Sequence, residues 1–323
     1  ECVISYEEMY ANFDQNDSHE FLDRVLNILH EELKNKKIED TLSLKAVYID
    51  YKDLQNEILN HGSHLWKCYL NSLQSFIAEL FHSLTYEKIQ CLECNQISVK
   101  FDLSNGLVLP LPEVQNQISK KRKYADCFLT LHDCLNEHFK IIHTNTPENY
   151  CRNCCRKTKS EEQFQLFNLP KIFIIQLNRF QCDNFFNKTK NDQFIEFFEN
   201  IDLNKYTNDR KKYSKYELVA VSNHFGSLYN GHYTTHAKND KSEQWFNFND
   251  ENVTNIGGSI VTQNAFFLVY VLDGKSDTTV STTSSDGKDC LNPESSLHEY
   301  DFCKRKKKRR FNFSLALLCN LLL

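Results

Sequence analysis

Two pairs of closely spaced cysteines constrain the fold of this chain more strongly than any other feature. The sequences Cys91-Leu-Glu-Cys94 and Cys151-Arg-Asn-Cys154 each place two thiolates at the spacing that lets both reach one metal ion. Four sulfur atoms complete a closed tetrahedral shell, so the pattern predicts a structural Zn²⁺ site and not a catalytic one. Because the pairs lie far apart in sequence, the metal would hold together the bases of two long segments that extend from the rest of the chain.

The chain contains 13 cysteines, so chance is the alternative explanation of the two pairs. Cys155 adjoins the second pair and is a competing candidate ligand. Five further cysteines are expected to be small core residues or inert thiols, namely Cys2, Cys68, Cys127, Cys134 and Cys182. A secreted disulfide scaffold is disfavoured, because the chain has 323 residues and its first 13 residues lack the basic and apolar regions of a signal peptide. We therefore expect a reduced, cytoplasmic protein.

The charge distribution separates an acidic body from a basic tail. The run from Lys304 to Arg310 holds seven of the 38 basic residues, which leaves 31 basic and 43 acidic side chains, a net charge of -12, in residues 1–303. An acidic body disfavours nucleic acid as the partner and favours a basic one. The basic run is expected to belong to a disordered tail or a gene-model artefact, with a nuclear localisation signal or an acidic-lipid patch as alternatives. The apolar residues 311–323 are too few to span a bilayer.

The first quarter of the chain is predicted to be mainly helical. Residues from Asp17 to Lys34 show apolar positions at helical spacing, with Asp17 as the N-cap and Glu20 as its capping-box partner. A second helical stripe runs from Leu65 to Leu84. From Lys88 to about Phe167 the sequence changes to short segments between the cysteine pairs, which predicts extended structure pinned by the metal.

Past Pro170 the sequence predicts a mainly antiparallel sheet. The runs are rich in β-branched and aromatic residues and cover 172–177, 216–221, 232–237, 244–248 and 265–272. The domain is expected to end near Leu272. Residues 273–323 form a Ser/Thr-rich, then basic, then apolar tail, so the predicted organisation is one domain of residues 1–272 followed by this tail.

A histidine at the start of one predicted strand is the candidate catalytic group. If the strands around His232 and Trp245 form a hairpin centred on Asp240 and Lys241, His232 lies opposite Asn249. The base of a cysteine or serine protease needs a third group that fixes its tautomer, and the Asn249 amide oxygen can accept from an imidazole N–H while Asp250 supplies charge. The alternative is a plain structural histidine, which is the expectation for His224 and His236.

Several separated motifs resemble those of the ubiquitin-specific proteases. Gln15-Asn-Asp-Ser-His-Glu-Phe21 resembles their Gln/Asp box, and Gly231-His232-Tyr233 with Trp245–Asp250 resembles their histidine box. The paired cysteines, Leu109-Pro-Leu-Pro112 and the strand ending in Asn178-Arg-Phe180 lie between the two boxes in the expected order. The resemblance implies an α+β fold, a papain-like cysteine protease hand. Its helical thumb would cover about 1–87, its zinc-bearing fingers about 88–167 and its antiparallel palm about 168–272.

The resemblance also implies a thiol-dependent deubiquitinase, which hydrolyses the isopeptide or peptide bond after the C-terminal glycine of ubiquitin. In that family His232 would be the base, Asn249 would orient its ring, and Asp250 would stand beside them. The implied partners are ubiquitin and ubiquitinated proteins, with Zn²⁺ as a structural cofactor, and the closest subtype acts in endosomal sorting. Residues implied to contact the substrate are Gln15, Asp17, Glu20, Gly231 and Tyr233.

One departure from the family concerns the nucleophile. The family's cysteine box lies well upstream of the Gln/Asp box, whereas only 14 residues precede Gln15. Cys2 lacks the glycine and asparagine neighbours that form the oxyanion site, so we do not assign it as the nucleophile. We expect a catalytic domain truncated at its N-terminus and inactive as written. The alternatives are a catalytically inactive ubiquitin-binding module and a zinc-stabilised scaffold unrelated to ubiquitin.

Overall fold

The computed structural model of the protein describes residues 10, 15–34, 47–49, 54–73, 75–112, 128–182, 188–208, 214–227 and 230–273. Cys2, Cys127 and the tail from residue 274 onward, with its basic run, lie outside the described residues. The helices are α1 (Ser18–Leu33), α2 (Leu54–Leu73), α3 (Phe76–Phe81) and α4 (Leu131–His138), with a short 3₁₀ turn at Asn204–Tyr206. None of the described helices combines the length and the apolar character needed to cross a membrane.

The strands form a palm sheet, a finger sheet and three short pairs. Those up to the second cysteine pair are β1 (Val47–Ile49), β2 (Ser83–Cys91), β3 (Ile97–Ser104), β4 (Leu107–Leu109), β5 (Leu129–Thr130), β6 (Ile142–His143) and β7 (Asn149–Cys151). The next are β8 (Arg156–Thr158), β9 (Ser160–Asn168), β10 (Ile172–Leu177), β11 (Phe180–Cys182), β12 (Lys188–Lys190), β13 (Ile195–Glu196) and β14 (Asn200–Asp202). The last are β15 (Lys215–Gly226), β16 (Gly231–Lys238), β17 (Trp245–Asn249), β18 (Asn252–Asn255) and β19 (Ala265–Leu272).

The first predicted helix and its Asp17 cap are confirmed, but the Glu20 side chain makes no described hydrogen bond back to the Asp17 N–H, so the predicted capping box is only half formed. The carboxylate of Asp17 accepts hydrogen bonds from the backbone N–H groups of His19 (2.8 Å) and Glu20 (3.2 Å), which satisfies two donors at the start of α1. Leu22 and Leu26 are buried on the inner face of the helix. The apolar spacing that predicted this helix therefore marks the side that packs on the sheet.

The second predicted helix is wrong in its bounds. The chain forms α2 from Leu54 to Leu73 and the separate helix α3, and Leu84 belongs to β2. The first half of α2 was missed because Gly62 is a poor helix former. A Cβ at Gly62 would lie 2.4 Å from the Phe167 ring, so close packing of the helix against β9 requires glycine there.

The palm is an eight-stranded sheet with strand order β18-β17-β16-β15-β19-β10-β4, and β14 also pairs with β15. All neighbours are antiparallel except β4 and β10. The five predicted strand runs all lie in this sheet, and two of them have the predicted bounds, at Ile172–Leu177 and Ala265–Leu272. Helices α1 and α3 pack on one face of the sheet through residues such as Phe267, and α4 packs on the other through residues such as Leu268.

The finger sheet has strand order β1-β3-β2-β9-β6, and the cysteine pairs lie at its end. The region from Lys88 to Phe167 is not wholly extended, because it contains α4. Thr130 and Asp133 form a reciprocal capping box at the start of that helix, the sequence signal that could have found it. Between the two cysteine pairs the chain also enters the palm, where β4 pairs with β10.

A buried histidine network joins α1, α2 and α3. The Tyr69 hydroxyl contacts Nδ1 of His82, the ring of His82 lies 4.9 Å from that of His30, and His30 Nδ1 lies 2.8 Å from Ser75 Oγ. Burial, together with the neighbouring His30, lowers the pKa of His82 from 6.5 to about 4. The folded chain therefore keeps His82 neutral at pH values where the unfolded chain protonates it.

This network predicts a loss of stability in weak acid. As the pH falls from 6.5 to about 4, the unfolded chain gains a proton on His82 that the folded chain does not bind. The free energy of unfolding should fall by up to about 3 kcal/mol from this group. Urea unfolding at several pH values checks it: His82→Gln should flatten the dependence, whereas substitution of the exposed His61 by Gln should not. An unchanged pH dependence in His82→Gln would contradict the assignment.

Candidate functional site

The side chains of His232 and Asn249 meet at the end of the palm sheet. His232 Nε2 lies 2.6 Å from Asn249 Oδ1. An amide oxygen only accepts hydrogen bonds, so Nε2 carries the ring proton and Nδ1 keeps its lone pair. The ring is half exposed, at 48% of its side-chain surface. The pair thus presents an oriented, accessible base.

The predicted hairpin register is wrong by two residues, although the predicted contact exists. In the structure Thr235 pairs with Phe248 and Lys238 pairs with Trp245. The turn is centred one residue later than predicted, between Lys241 and Ser242, and the Asn239 side chain accepts from two backbone N–H groups within it. Side chains alternate between the two sheet faces, so a shift of two residues keeps His232 and Asn249 on one face as diagonal neighbours.

Asp250 lies beside the pair without entering the hydrogen bond. Its Oδ2 is 3.9 Å from His232 Nε2, and its side chain is 70% exposed. The residue has a φ of 49°, in the left-handed region that turn residues such as Asp tolerate. An exposed carboxylate at this distance adds modest electrostatic support to a protonated imidazole.

The segment before α1 reaches the histidine strand. The Gly231 N–H donates to Gln15 Oε1 at 3.2 Å, which places Gln15 next to the residue that precedes His232. Burial, with the Asp17 carboxylate nearby, raises the pKa of Tyr233 to about 12. The structure therefore brings Gln15, Gly231 and Tyr233 to the strand that carries His232.

The two acidic residues predicted to contact the substrate lie at the start of α1. Asp17 is its N-cap and Glu20 belongs to its first turn. Asp17 is occupied as the N-cap, the role that the local sequence by itself explains. Glu20 is exposed on the first turn. An anionic cap and a free carboxylate at the positive end of a helix form an acidic edge beside Gln15.

Gly231 is needed where it stands because His224 lies directly beneath it. His224 is 3% exposed and packs against the rings of Phe180, Tyr233 and Phe266. A Cβ at Gly231 would lie 2.1 Å from His224 Nε2. Burial lowers the pKa of His224, so the packed ring is neutral. The structural role expected for His224 is therefore to support the strand that begins at Gly231.

The four paired cysteines converge on one point. The sulfur atoms of Cys91, Cys94, Cys151 and Cys154 all lie within 4.8 Å of one another, with 4.0 Å between Cys91 and Cys154 and 3.5 Å between Cys94 and Cys151. A tetrahedral ZnS₄ centre with 2.3 Å bonds requires sulfur separations of about 3.8 Å. The four residues fit a metal ion of this kind.

The backbone around each cysteine pair is shaped like a metal-binding knuckle. The N–H of Glu93 points at Cys91 Sγ (3.4 Å), and that of Cys154 points at Cys151 Sγ (3.5 Å). Asn95 and Cys155, the residues that follow each pair, both have left-handed backbones, with φ of 60° and 54°. Cys155 Sγ is exposed and donates to the Arg152 carbonyl, so it does not belong to the cluster.

Comparison with known proteins decides the family. The profile described as "Ubiquitin carboxyl-terminal hydrolase" matches residues 1–270. The chain belongs to the ubiquitin carboxyl-terminal hydrolase family. Ubiquitin carboxyl-terminal hydrolase 2 of Gallus gallus is 29% identical over 274 residues, which cover 84% of this chain and 72% of that relative. The Homo sapiens protein of the same name is also 29% identical, and the chain spans 42% of its length.

Solved structures show the same fold. One is a SAGA DUB module of Ubp8, Sgf11, Sus1 and Sgf73 bound to monoubiquitin, with a TM-score of 0.60 and 22% identity over 84% of this chain and 52% of that one. Another is the corresponding module bound to ubiquitin aldehyde, with a TM-score of 0.59 and 21% identity. The predicted α+β hand with a sheet-rich palm is therefore confirmed.

Substitution of Gly231 tests the packing under the histidine strand. Gly231→Ala should lower the free energy of unfolding by about 1–3 kcal/mol, because the new methyl group overlaps the buried His224 ring. Gly257→Ala is the matched control, since nothing lies within 4 Å of a Cβ there, and it should stay within about 0.5 kcal/mol. Urea unfolding measures both. Equal stability of the two variants would contradict the described packing.

Proposed function

We propose that this chain is the substrate-holding and base-bearing part of a thiol-dependent deubiquitinase, which cleaves the bond after the C-terminal glycine of ubiquitin. The observation that carries the proposal is the His232–Asn249 hydrogen bond, which leaves Nδ1 free to act as a base in a member of this family. A purely structural histidine would not need a polar partner that fixes its tautomer at an exposed sheet end.

In the proposed reaction, His232 Nδ1 takes the proton of a cysteine thiol, and the thiolate attacks the carbonyl carbon of the terminal glycine of ubiquitin. The C–N bond breaks as the imidazolium returns that proton to the leaving lysine amine. Water then hydrolyses the thioester, and His232 again carries the proton between the two groups. Asn249 accepts from Nε2–H throughout, and Asp250 adds charge that favours the imidazolium.

We assign none of the described cysteines as the nucleophile. Four form the metal cluster, and burial raises the pKa of Cys134 to about 12, which makes its thiol a poor nucleophile. The contacts described for the His232 ring are with Asn249 and Asp250. Residues 1–323 alone are therefore proposed to bind ubiquitin without cleaving it.

The proposed ubiquitin surface lies along the start of α1 and the strand that contains Gly231. Gln15, Asp17, Glu20, Gly231 and Tyr233 are proposed to line the path of ubiquitin's C-terminal tail. The acidic edge formed by Asp17 and Glu20 suits a basic tail, and two of the structural neighbours are bound to monoubiquitin and to ubiquitin aldehyde. Nucleic acid is not a proposed partner. We propose a cytoplasmic location, with endosomal and nuclear sites as alternatives.

We propose Zn²⁺ as the metal of the cysteine cluster. All four ligands would be sulfur, so the shell is closed and the ion stabilises the fingers without taking part in the chemistry. Hydrogen bonds from the Asn153 side chain and the Gln96 backbone lower the pKa of Cys94, which favours a thiolate within the cluster. The ion would join the β2–β3 hairpin to the β7–β8 hairpin.

The second candidate function is an inactive ubiquitin-binding module. The absence of an assigned nucleophile among the described cysteines favours it over an active enzyme, and the family match favours it over a zinc scaffold unrelated to ubiquitin. The oriented base argues for the enzyme, because ubiquitin binding alone makes no use of a free Nδ1.

A ubiquitin with an electrophilic C-terminus distinguishes these functions. Residues 1–323 should bind ubiquitin in calorimetry yet form no covalent adduct, whereas the intact protein from its natural source should form one. In the intact protein, His232→Ala should slow adduct formation by about 10²–10⁴-fold. Asn247→Ala, on the next strand, is the control and should react normally.

Other outcomes of this experiment would contradict parts of the proposed function. Ubiquitin binding with no adduct from the intact protein would establish the inactive module. An adduct on residues 1–323, mapped by mass spectrometry, would identify a nucleophile within them. Failure of both samples to bind ubiquitin would overturn the deubiquitinase proposal itself.

Metal analysis tests the cysteine cluster separately. Purified chain should contain about one zinc per molecule, and the double substitution Cys151→Ser with Cys154→Ser should remove it, because two oxygen donors cannot replace the thiolates. Cys155→Ser is the matched control and should retain the zinc, since Cys155 lies outside the cluster. Zinc that survives the double substitution would contradict the site.

A further inference from the structure

We infer that Lys190 is a positioning residue for His232, a buried cation that clamps the end of β15 opposite it. The inference rests on the proposed function of His232. Lys190 Nζ donates to the backbone carbonyls of His224 (2.9 Å) and Gly226 (3.1 Å) and lies 3.0 Å from Asp192 Oδ1. Its side chain is 7% exposed, and these three acceptors match the three hydrogens of an ammonium group.

The two carbonyls lie on either side of Phe225, the cross-strand partner of His232. Gly226 ends β15 with a φ of 99°, and it pairs with Gly231 at the last rung of the β15–β16 ladder. The loop then closes through a hydrogen bond from Ser227 N–H to Asn230 O at 2.8 Å. Lys190 therefore holds the backbone at the point where the chain turns back toward His232.

A second buried cation fixes the position of Lys190. Arg179 is 1% exposed, and its guanidinium donates to Ala265 O at the start of β19 and to the carbonyls of Asn191 (2.9 Å) and Gln193 (2.8 Å). The N–H of Asn191 donates back to Arg179 O at 2.7 Å. The backbone that follows Lys190 is thus anchored to the palm core.

Burial of apolar side chains does not by itself explain what fixes the Gly226–Gly231 end of the β15–β16 ladder. The buried His224 packs beneath Gly231, but Phe225 is 42% exposed and the His232 side chain is 48% exposed, so the Phe225–His232 rung itself gains little from apolar packing. A site that must stay open to a substrate cannot be stabilised by covering it. A charged donor directed at two backbone carbonyls fixes the end of β15 without apolar side chains that would cover His232.

The role of Lys190 could not be predicted from the sequence. Its partners are backbone carbonyls that lie 34 and 36 residues away in the chain. No local motif marks such a contact. The second anchor comes from the segment after β12, where Asn191 and Gln193 accept from Arg179, so only the folded chain places the Lys190 ammonium at the carbonyls of His224 and Gly226.

Hydrogen exchange on residues 1–323 tests the clamp without requiring catalysis. Lys190→Met should raise the exchange rates of the Ser227 and Gly231 amides at least about tenfold, while the Leu268 amide in the palm core is unchanged. Lys190→Arg keeps the charge and several donors and should recover part of the protection. Lys238→Met removes a lysine from the far end of β16, where it pairs with Glu217, and should leave the Ser227 and Gly231 amides as in the parent chain.

Each outcome decides the inference. Equal exchange at Ser227 and Gly231 in the Lys190→Met and Lys238→Met chains would overturn the clamp. A uniform rise at all amides, including Leu268, would show a general structural role and would overturn the positioning claim. Ubiquitin affinity is a second readout, expected to fall about tenfold in Lys190→Met. If the parent chain binds no ubiquitin, the proposed function fails, but the exchange rates still decide whether Lys190 holds the loop.

Discussion

The pairing of β15 with β19 on one side and β16 on the other is the interaction on which the rest of the structure depends. This ladder places Leu218 and Val221 on the face that packs on α4, and Val219 and Ala220 on the face that packs on α1 and α3. Two consecutive residues face the same side because the register shifts between Leu218 and Ala220. One strand therefore supplies side chains to both cores of the palm.

At the end of this ladder directed hydrogen bonds add to the packing of the buried His224 beneath Gly231. Asn249 holds the ring of His232, Gln15 accepts from the Gly231 N–H, and Lys190 donates to carbonyls of β15. Each of these contacts fixes a backbone or ring position without covering it with apolar atoms. The arrangement suits the proposed function, in which this end of the sheet admits the tail of ubiquitin while His232 keeps one tautomer.

Most of the palm could be predicted from the sequence, because its strands are rich in β-branched and aromatic residues and are bounded by turns. The His232–Asn249 contact was also predicted, although the register was wrong by two residues, because a shift of two preserves the sheet face. The cysteine cluster followed from spacing alone.

The parts that were missed depend on distant contacts. The first half of α2 contains Gly62, which lowers the helix propensity of the sequence but lets the helix pack closely against the Phe167 ring. The clamp of Lys190 on His224 and Gly226 joins side chain to backbone across the fold. Local sequence carries no trace of either contact, since both arise when separate elements pack together.

The tautomer of His232 is the most direct test of the central claim that the sheet end holds an oriented base. In ¹⁵N NMR of histidine-labelled chain at neutral pH, with the signal assigned by its loss in His232→Gln, Nε2 should be protonated and Nδ1 should carry the lone pair. Asn249→Ala should shift the ring toward a mixture of tautomers, whereas Asn247→Ala should not. A protonated Nδ1 in the parent chain, or the same mixture with and without Asn249, would contradict the account.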